Sequence, residues 1–284
     1  MLTLLHKKYG SRFLLLFTFI ILFPPTPNAQ PRSPRLTGVI VGEGLFFTGT
    51  FVSLHFLWYK KYSTGHFHFF NDNSEWLQMD KLGHATTGYT MSALSTGLYQ
   101  WAGMKQEPAL WTGALTSLAF LSMIEVFDGF SDKWGFSGGD MIANLAGIGL
   151  ASSQTALWGE QRISLRYSYH ATIFPAYRPE ELGQNKWQSM LKDYNGQSYW
   201  LSIAPIHFLT AKTDYPQWLN IAVGYGAEGM VTGRIQGNEA APFIRQRIFL
   251  GALDINYWGM IKFPSPALRY KARDKHLKLL PLYY

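Results

Sequence analysis

The chain has 284 residues, of which 47% are hydrophobic, 16% aromatic and only 15% charged, with no cysteine and a formal net charge of +7. Soluble domains average about 25% charged residues, so this composition excludes intrinsic disorder and favours a protein that contacts lipid. Without cysteine, these residues can form no disulfide, no thiolate metal site and no thiol nucleophile.

The first 29 residues are predicted to be a cleaved secretory signal peptide. Three basic side chains, Lys7, Lys8 and Arg12, precede an apolar run over residues 13–23, and small or helix-breaking residues follow it. Charged, apolar and small regions in this order are typical of such signals. The apolar run is also too short for a bilayer, which needs about 20 residues. The sequence therefore predicts export.

The positive charge is confined to the two ends of the chain. Residues 260–284 hold six basic side chains and one acidic one, whereas residues 30–259 are almost neutral. A nucleic-acid-binding domain would carry a basic stripe on its folded surface, so we predict no nucleic-acid partner. The basic tail is predicted either to contact anionic lipid head groups or to be solvated.

Residues 30–160 are predicted to form a membrane-associated four-helix bundle. Four apolar segments of membrane-scale length follow one another, and small residues such as Gly88, Gly113 and Gly147 would let the helices approach closely. Ser and Thr are frequent, so a bundle within a membrane and a periplasmic bundle with a lipid-facing side both stay open. The segments cover about residues 38–59, 84–104, 109–127 and 140–158.

Residues 161–284 are predicted to form a β-rich region that ends in the basic tail. Ile163, Leu165 and Tyr167 alternate with polar residues, which is typical of a strand with one buried face. Further strands are predicted near residues 199–209, 218–225 and 244–257. An outer-membrane barrel needs about eight strands or more, so this region cannot close one alone. The predicted fold class is therefore α+β, a helical bundle followed by a small antiparallel β region.

Three polar pairs interrupt the helical half and form the candidate site. The members of each pair lie three or four residues apart, so both face one side of their helix. In an up-down bundle, the starts of the second and fourth helices lie beside the end of the third, and the pairs would converge there. With one neighbouring lysine, the predicted site comprises Asp80, Lys81, His84, Glu125, Asp128, Asp140 and Asn144.

Helix capping is the alternative explanation for two of these acids. Ser137 and Asp140 match a capping pattern, and Asp80 also suits the positive end of a helix dipole. Glu125 and Asp128 oppose the dipole at a helix end by about 0.3–1 kcal/mol each, so they need partners. The acids around the histidine favour a functional role over that of a core residue.

The ordered motifs resemble a known family. Asp-Lys-x-x-His at 80–84, Glu-x-x-Asp at 125–128 and Asp-x-x-x-Asn at 140–144 are similar to the YfiM-like family of uncharacterised bacterial envelope proteins and, in motif, to the VanZ-like family. The resemblance covers about residues 70–158 and implies an envelope location and a polar site rather than a reaction. Short YfiM-like members are regarded as lipoproteins, but this chain lacks the lipid-bearing cysteine, so that anchor does not carry over.

The sequence leaves three functions open, and with them whether the chain is an enzyme. The first is a non-enzymatic envelope protein with a buried polar site of structural or ligand-binding role. The second is a metal-assisted hydrolase or transferase acting on a lipid or cell-wall precursor. The third is an adaptor subunit of an outer-membrane assembly. Membrane lipid and other envelope proteins are the expected partners, and the membrane involved is not specified. For the second function, the ligands of a divalent metal ion would be Asp80, His84, Glu125 and Asp140.

Overall fold

The computed structural model describes residues 34–62, 64–208, 215–216, 218–238 and 242–255. The predicted signal peptide, the last two residues of the strand predicted near residues 244–257, and the whole basic tail lie outside the described residues. The helices are α1 (Pro34–Leu57), α2 (Met79–Trp101), α3 (Gln106–Gly129), α4 (Gly138–Trp158), α5 (Pro179–Leu182), α6 (Lys186–Lys192) and α7 (Ile235–Asn238). The strands are β1 (Ile163–Tyr169), β2 (Gln197–Ile203), β3 (Leu219–Glu228) and β4 (Gln246–Ile255).

Small residues bring the helices of the bundle into close contact around α2. A Cβ atom on Gly147 of α4 would overlap the backbone carbonyl of Ala85 in α2, and one on Gly88 would lie 2.6 Å from the Asn144 carbonyl oxygen. A Cβ on Gly113 of α3 would meet the Thr96 backbone nitrogen at 2.6 Å. The glycines predicted to permit close packing therefore lie where α2 contacts α4 and α3.

Helix α1 completes the bundle but buries little of its own surface. Phe47 packs with Phe120 of α3 in a core cluster that also contains Ile148 of α4. Among the described residues, α1 and α3 are the two helices whose length and apolar composition match a membrane-crossing segment. The exposed apolar side chains of α1 are Val41, Leu45, Phe46, Val52 and Phe56.

The four strands form one antiparallel sheet in the order β1-β2-β3-β4. The α+β fold class predicted from the sequence is confirmed. β2 ends before the predicted boundary, because Pro205 begins a short 3₁₀ turn over residues 205–207. The helices likewise begin a few residues earlier than predicted, and α2 begins at Met79 rather than at His84.

The polar face of the sheet is buried, and part of its apolar face is exposed. Arg166 of β1 donates to Asp254 of β4 at 2.7 Å, and Ser202 of β2 donates to the same carboxylate at 2.5 Å. All three side chains are buried. On the opposite face, Ile221, Val223, Phe249 and Leu253 are 51–78% exposed. The alternation predicted strands with two unlike faces, but the more buried face is the polar one.

Candidate functional site

A left-handed turn sets the start of α2. Trp76, Leu77 and Gln78 have φ values of 48°, 50° and 65°, a region that costs non-glycine residues about 1–3 kcal/mol each. The turn is held from the β region: the Tyr225 hydroxyl donates to the Leu77 carbonyl at 2.6 Å, and the Trp76 amide donates to the carbonyl of Gly233 at 2.9 Å. Contacts with the sheet therefore fix where the motif residues of α2 project.

The start of α4 is capped, as predicted. The Ser137 hydroxyl accepts a hydrogen bond of 3.1 Å from the backbone N–H of Asp140. Because Ser137 caps the helix, the Asp140 carboxylate is not needed as a cap and turns toward α2. Capping and the polar site thus coexist at this helix start.

Lys81 connects three carboxylates. Its ammonium nitrogen lies 2.6 Å from Asp72 Oδ1, 2.7 Å from Asp140 Oδ1 and 3.4 Å from Asp80 Oδ2. Asp140 is 4% exposed, so this ion pair lies largely outside solvent. Asp72 also accepts a hydrogen bond of 2.6 Å from the hydroxyl of Ser137. The lysine therefore links the segment before α2 to the start of α4.

His84 lies between the motifs of the three helices. Its Nδ1 atom is 3.1 Å from Asn144 Oδ1 and 3.7 Å from Glu125 Oε1. Its Nε2 atom is 3.9 Å from Asp80 Oδ1 and 3.8 Å from Asp140 Oδ1. Each of the three predicted pairs therefore places at least one side chain beside this imidazole. We call the following eight residues the polar cluster: Asp72, Asp80, Lys81, His84, Glu125, Asp128, Asp140 and Asn144.

Three buried polar atoms of the cluster have no hydrogen-bond partner within the described part of the chain, and one of them, Asp140 Oδ1, is in ion-pair contact with Lys81. Glu125 is 1% exposed; its Oε2 atom accepts from the Ser137 amide at 3.2 Å, whereas Oε1 accepts no hydrogen bond. Asn144 is 0% exposed, and its Nδ2 atom donates none. Leaving such a group unpaired costs about 1–3 kcal/mol, so the cluster is not satisfied by its own side chains.

Asp128 lies at the margin of the cluster. Its Oδ1 atom accepts a hydrogen bond of 2.8 Å from the hydroxyl of Tyr59, which follows α1. This bond supplies the partner that an acid at the end of α3 needs against the helix dipole. Asp128 thus joins α1 to the site rather than meeting His84 directly.

Three contributors were absent from the sequence-based site: Asp72, Tyr59 and Tyr194. Tyr194 precedes β2, and its hydroxyl donates to Asp80 Oδ1 at 2.5 Å. It belongs to an Asp-Tyr-Asn-Gly segment that the sequence marks only as a turn. Asp72 lies outside α2, in the segment before the left-handed turn. These residues carry no periodic signal because the tertiary fold, not a shared helix face, brings them to the cluster.

Burial raises the pKa of three acids of the cluster. The pKa of Glu125 rises to about 8, although the positive charge of His84 acts to lower it. Burial likewise raises the pKa of Asp128 to about 7. For Asp140, burial and then the charge of Asp80 raise the pKa to about 7. These three carboxyls therefore hold protons at a pH where exposed carboxyls are ionised.

The pKa shifts of Asp80, Lys81 and His84 favour the charged form of each side chain. Burial favours a neutral Asp80, but the charges of His84 and Lys81 and the Tyr194 hydroxyl hold its pKa below the usual value. Burial favours a neutral His84, but the charges of Asp80 and Asp140 outweigh it and raise the pKa of the imidazole. The pKa of Lys81 is raised in the same way, against burial, by Asp80 and Asp140.

Comparison with known proteins agrees with an envelope protein. Residues 68–155 match the family model described as a predicted periplasmic lipoprotein, DUF2279, and this stretch contains all three motifs. No curated protein and no solved structure gives a match. The match supports an uncharacterised bacterial envelope protein, and it confirms the predicted export to the periplasmic side with membrane association. The family is described as a lipoprotein family, but these 284 residues contain no cysteine whose thiol could carry a lipid.

Proposed function

We propose that this chain is a membrane-associated envelope protein whose polar cluster binds a small ligand carrying positive charge. The observation that carries the proposal is the imbalance within the cluster. Five carboxyl groups surround two basic side chains, and Glu125 Oε1 is buried without a hydrogen-bond donor. Glu125, Asp128 and Asp140 hold protons because they are buried, and a positively charged ligand would take the place of such protons, whereas an anionic ligand would be repelled by the acids that stay ionised.

The cluster lies where the sheet meets the bundle, so its occupancy would affect both. Tyr194 binds Asp80 directly, and Tyr225 binds the turn that precedes it. A Cβ atom on Gly83 would lie 2.9 Å from the Tyr199 hydroxyl oxygen, so α2 and β2 are in close contact beside Asp80. We infer that a ligand that pulls Asp80 away from Tyr194 would change the contact between the helical bundle and the sheet.

The resemblance to the YfiM-like and VanZ-like families supports a role for the same residues. Each motif that carries the resemblance contributes a side chain to the cluster: His84 from the first, Glu125 from the second and Asn144 from the third. A ligand-binding role accounts for why these residue types occur together in the order found. The metal-assisted alternative shares candidate ligands with this proposal, but nothing in the described residues favours a reaction or an adaptor role over binding.

We also propose that lipid covers the apolar outer surfaces of the molecule. Exposed side chains such as Phe46 on α1 and Leu253 on β4 form apolar surface larger than isolated residues would. Cations lie over aromatic rings at their margins, as Arg35 does over Trp101 and Lys192 over Trp58. Aromatic and basic side chains of this kind are typical of the boundary between acyl chains and head groups.

Thermal unfolding of the full chain in detergent tests the ligand proposal. A panel would compare zinc chloride, magnesium chloride, ammonium chloride and spermidine, each in excess. We expect at least one cation to raise the midpoint in the wild type and in Glu43→Gln, and to have no effect in Asp140→Asn. Glu43 is the matched control because it is a partly buried acid of the same bundle, paired with Tyr99 and Ser95 rather than with the cluster. A panel without any Asp140-dependent shift would contradict the proposal.

A further inference from the structure

The structure points to the chemical class of the ligand, an inference that rests on the proposed function. We propose that the polar cluster holds one divalent transition-metal ion on Asp80, His84 and Asp140. Each residue offers one ligand atom, and the three atoms lie within 4.8 Å of one another. In tetrahedral coordination, bonds of about 2.0–2.2 Å place two ligand atoms of one ion about 3.3–3.6 Å apart. Closing the site therefore needs side-chain movements of up to about one ångström.

The orientation of the imidazole is suited to metal binding. Both neighbours of Nδ1 are oxygen acceptors, Asn144 Oδ1 at 3.1 Å and Glu125 Oε1 at 3.7 Å, so we assign a proton to Nδ1. Nε2 then faces Asp80 and Asp140 and can offer its lone pair to an ion. A ligating histidine ordinarily donates its other N–H to a carbonyl or carboxylate, which fixes the ring. Asn144 supplies such an acceptor from α4.

The buried oxygen that faces the proposed ion belongs to Asp140. Its Oδ1 atom lies 3.8 Å from His84 Nε2 and, among the described residues, contacts the Lys81 ammonium as its one close cation. Glu125 Oε1 is also buried without a hydrogen-bond donor in the described structure, but it is on the Nδ1 side of the ring, opposite Asp80 and Asp140. We therefore assign Glu125 to orientation of the imidazole and to charge balance rather than to the first set of metal ligands.

Lys81 competes with the proposed ion. Its ammonium nitrogen contacts both acids that would bind the metal, Asp140 at 2.7 Å and Asp80 at 3.4 Å. Its contact of 2.6 Å with Asp72 lies outside the ligand set. We infer that an ion entering the site displaces the lysine from Asp80 and Asp140, while Asp72 retains it. The lysine would then set the affinity for metal without being a ligand.

Competition with a chromophoric chelator tests the proposal, using purified full chain freed of metal and titrated with zinc chloride. The wild type should bind one zinc ion per chain. Asp140→Asn and His84→Gln should weaken binding about 100-fold or more, since even changes beside a metal ligand cost 10–100-fold. Lys81→Met should strengthen it about tenfold or more, because a positive charge next to the ion is removed. Glu43→Gln should leave the affinity unchanged.

The outcomes separate this inference from the proposed function. Zinc binding that survives in Asp140→Asn, or that weakens in Lys81→Met, would overturn the metal assignment. Absence of zinc binding together with an Asp140-dependent shift by spermidine or ammonium would overturn the metal site and keep the cationic ligand. If no cation acts, both fail. Circular dichroism of each variant would show that a lost affinity comes from a folded protein.

Discussion

At the scale of single residues, contacts between helices matter more to the site than a shared helix face. His84 of α2 contacts side chains of α3 and α4, and Asp80 of its own helix, at 3.1–3.9 Å. The residues that complete the site, Asp72 and Tyr194, come from segments outside these helices. The chemistry of the cluster therefore depends on the sheet and the loops as well as on the bundle.

Tyr194→Phe tests the contact between the sheet region and the cluster. The change removes the hydroxyl that donates to Asp80 and keeps the ring. A hydrogen bond to a charged group contributes about 1.5–3 kcal/mol, so the free energy of unfolding should fall by about that amount. Urea denaturation of the full chain in detergent would measure it.

Tyr177→Phe is the control for that measurement, because Tyr177 is 52% exposed and an exposed substitution usually changes stability by less than about 0.5 kcal/mol. Equal stability of Tyr194→Phe and the wild type would show that the bond to Asp80 contributes nothing.

The pH dependence of stability follows from the buried acids. Burial raises the pKa of Asp128 to about 7, above its value in the unfolded chain. Between about pH 4 and 7 the folded chain therefore binds more protons at this residue than the unfolded chain does. Stability must then fall as pH rises through this window, by up to about 1.4 kcal/mol per pH unit for one group.

Asp128→Asn should reduce that slope, since an amide does not titrate. Measuring the free energy of unfolding at pH 5, 6 and 7 would show a flatter dependence in the variant. Glu107→Gln, an exposed acid on the same helix, should retain the slope of the wild type. The expectation is contradicted if Asp128→Asn and the wild type have parallel slopes.

At the scale of elements, small residues determine how closely the helices pack. Gly147 of α4 meets the backbone of Ala85 in α2, whereas a Cβ on Gly149, two residues later, has nothing within 4 Å. Close contact of α2 and α4 is also what places Asn144 beside His84. The packing of this helix pair is therefore a condition for the site.

Gly147→Ala tests this condition against Gly149→Ala. The first variant should lose about 1–3 kcal/mol of stability by forcing the two backbones apart. The second should be neutral or gain up to about 1 kcal/mol, because alanine favours a helix more than glycine does. Thermal unfolding of both variants provides the measurement. Similar melting points would show that the helices are not in tight contact at Gly147.

The sequence was sufficient to predict the helices and strands, but not where α2 begins or which face of the sheet is buried. Apolar segments predicted the helices, and helix spacing predicted which helix ends would bring acids beside His84, because these signals are local. The start of α2 was placed too late, since three left-handed residues held by Tyr225 precede it. Alternation predicted the strands, but alternation alone does not show that the face of Arg166 is buried while that of Val223 is exposed.

At the scale of the whole molecule, apolar surface lies outside and charge lies inside. The bundle collects its acids around His84, and the sheet pairs Arg166 with Asp254 on its buried face. The exposed face of β3 and β4 is apolar and adjoins no described element that covers Phe249, which is 78% exposed. This arrangement agrees with the membrane association supported by the family match.

A double variant tests lipid contact at the sheet. Val223→Glu with Phe249→Glu would place two charges on the exposed face, where burial of each native side chain in lipid contributes about 1.5–3 kcal/mol. Binding to phosphatidylglycerol and phosphatidylethanolamine vesicles, measured by flotation, should weaken at least about tenfold. Gln184→Glu adds charge at an exposed loop position and should bind like the wild type. Unchanged flotation of the double variant would contradict lipid contact at this face.

We propose that the polar cluster, rather than a surface histidine, holds the cationic ligand. X-ray absorption at the zinc edge of the zinc-loaded full chain can locate the ion, because the spectrum counts imidazole ligands. We expect a single imidazole nitrogen with oxygen ligands at about 2.0–2.2 Å, and loss of that signal in His84→Gln. Two or more imidazoles, or a spectrum unchanged in His84→Gln, would place the ion outside the polar cluster and overturn the proposal.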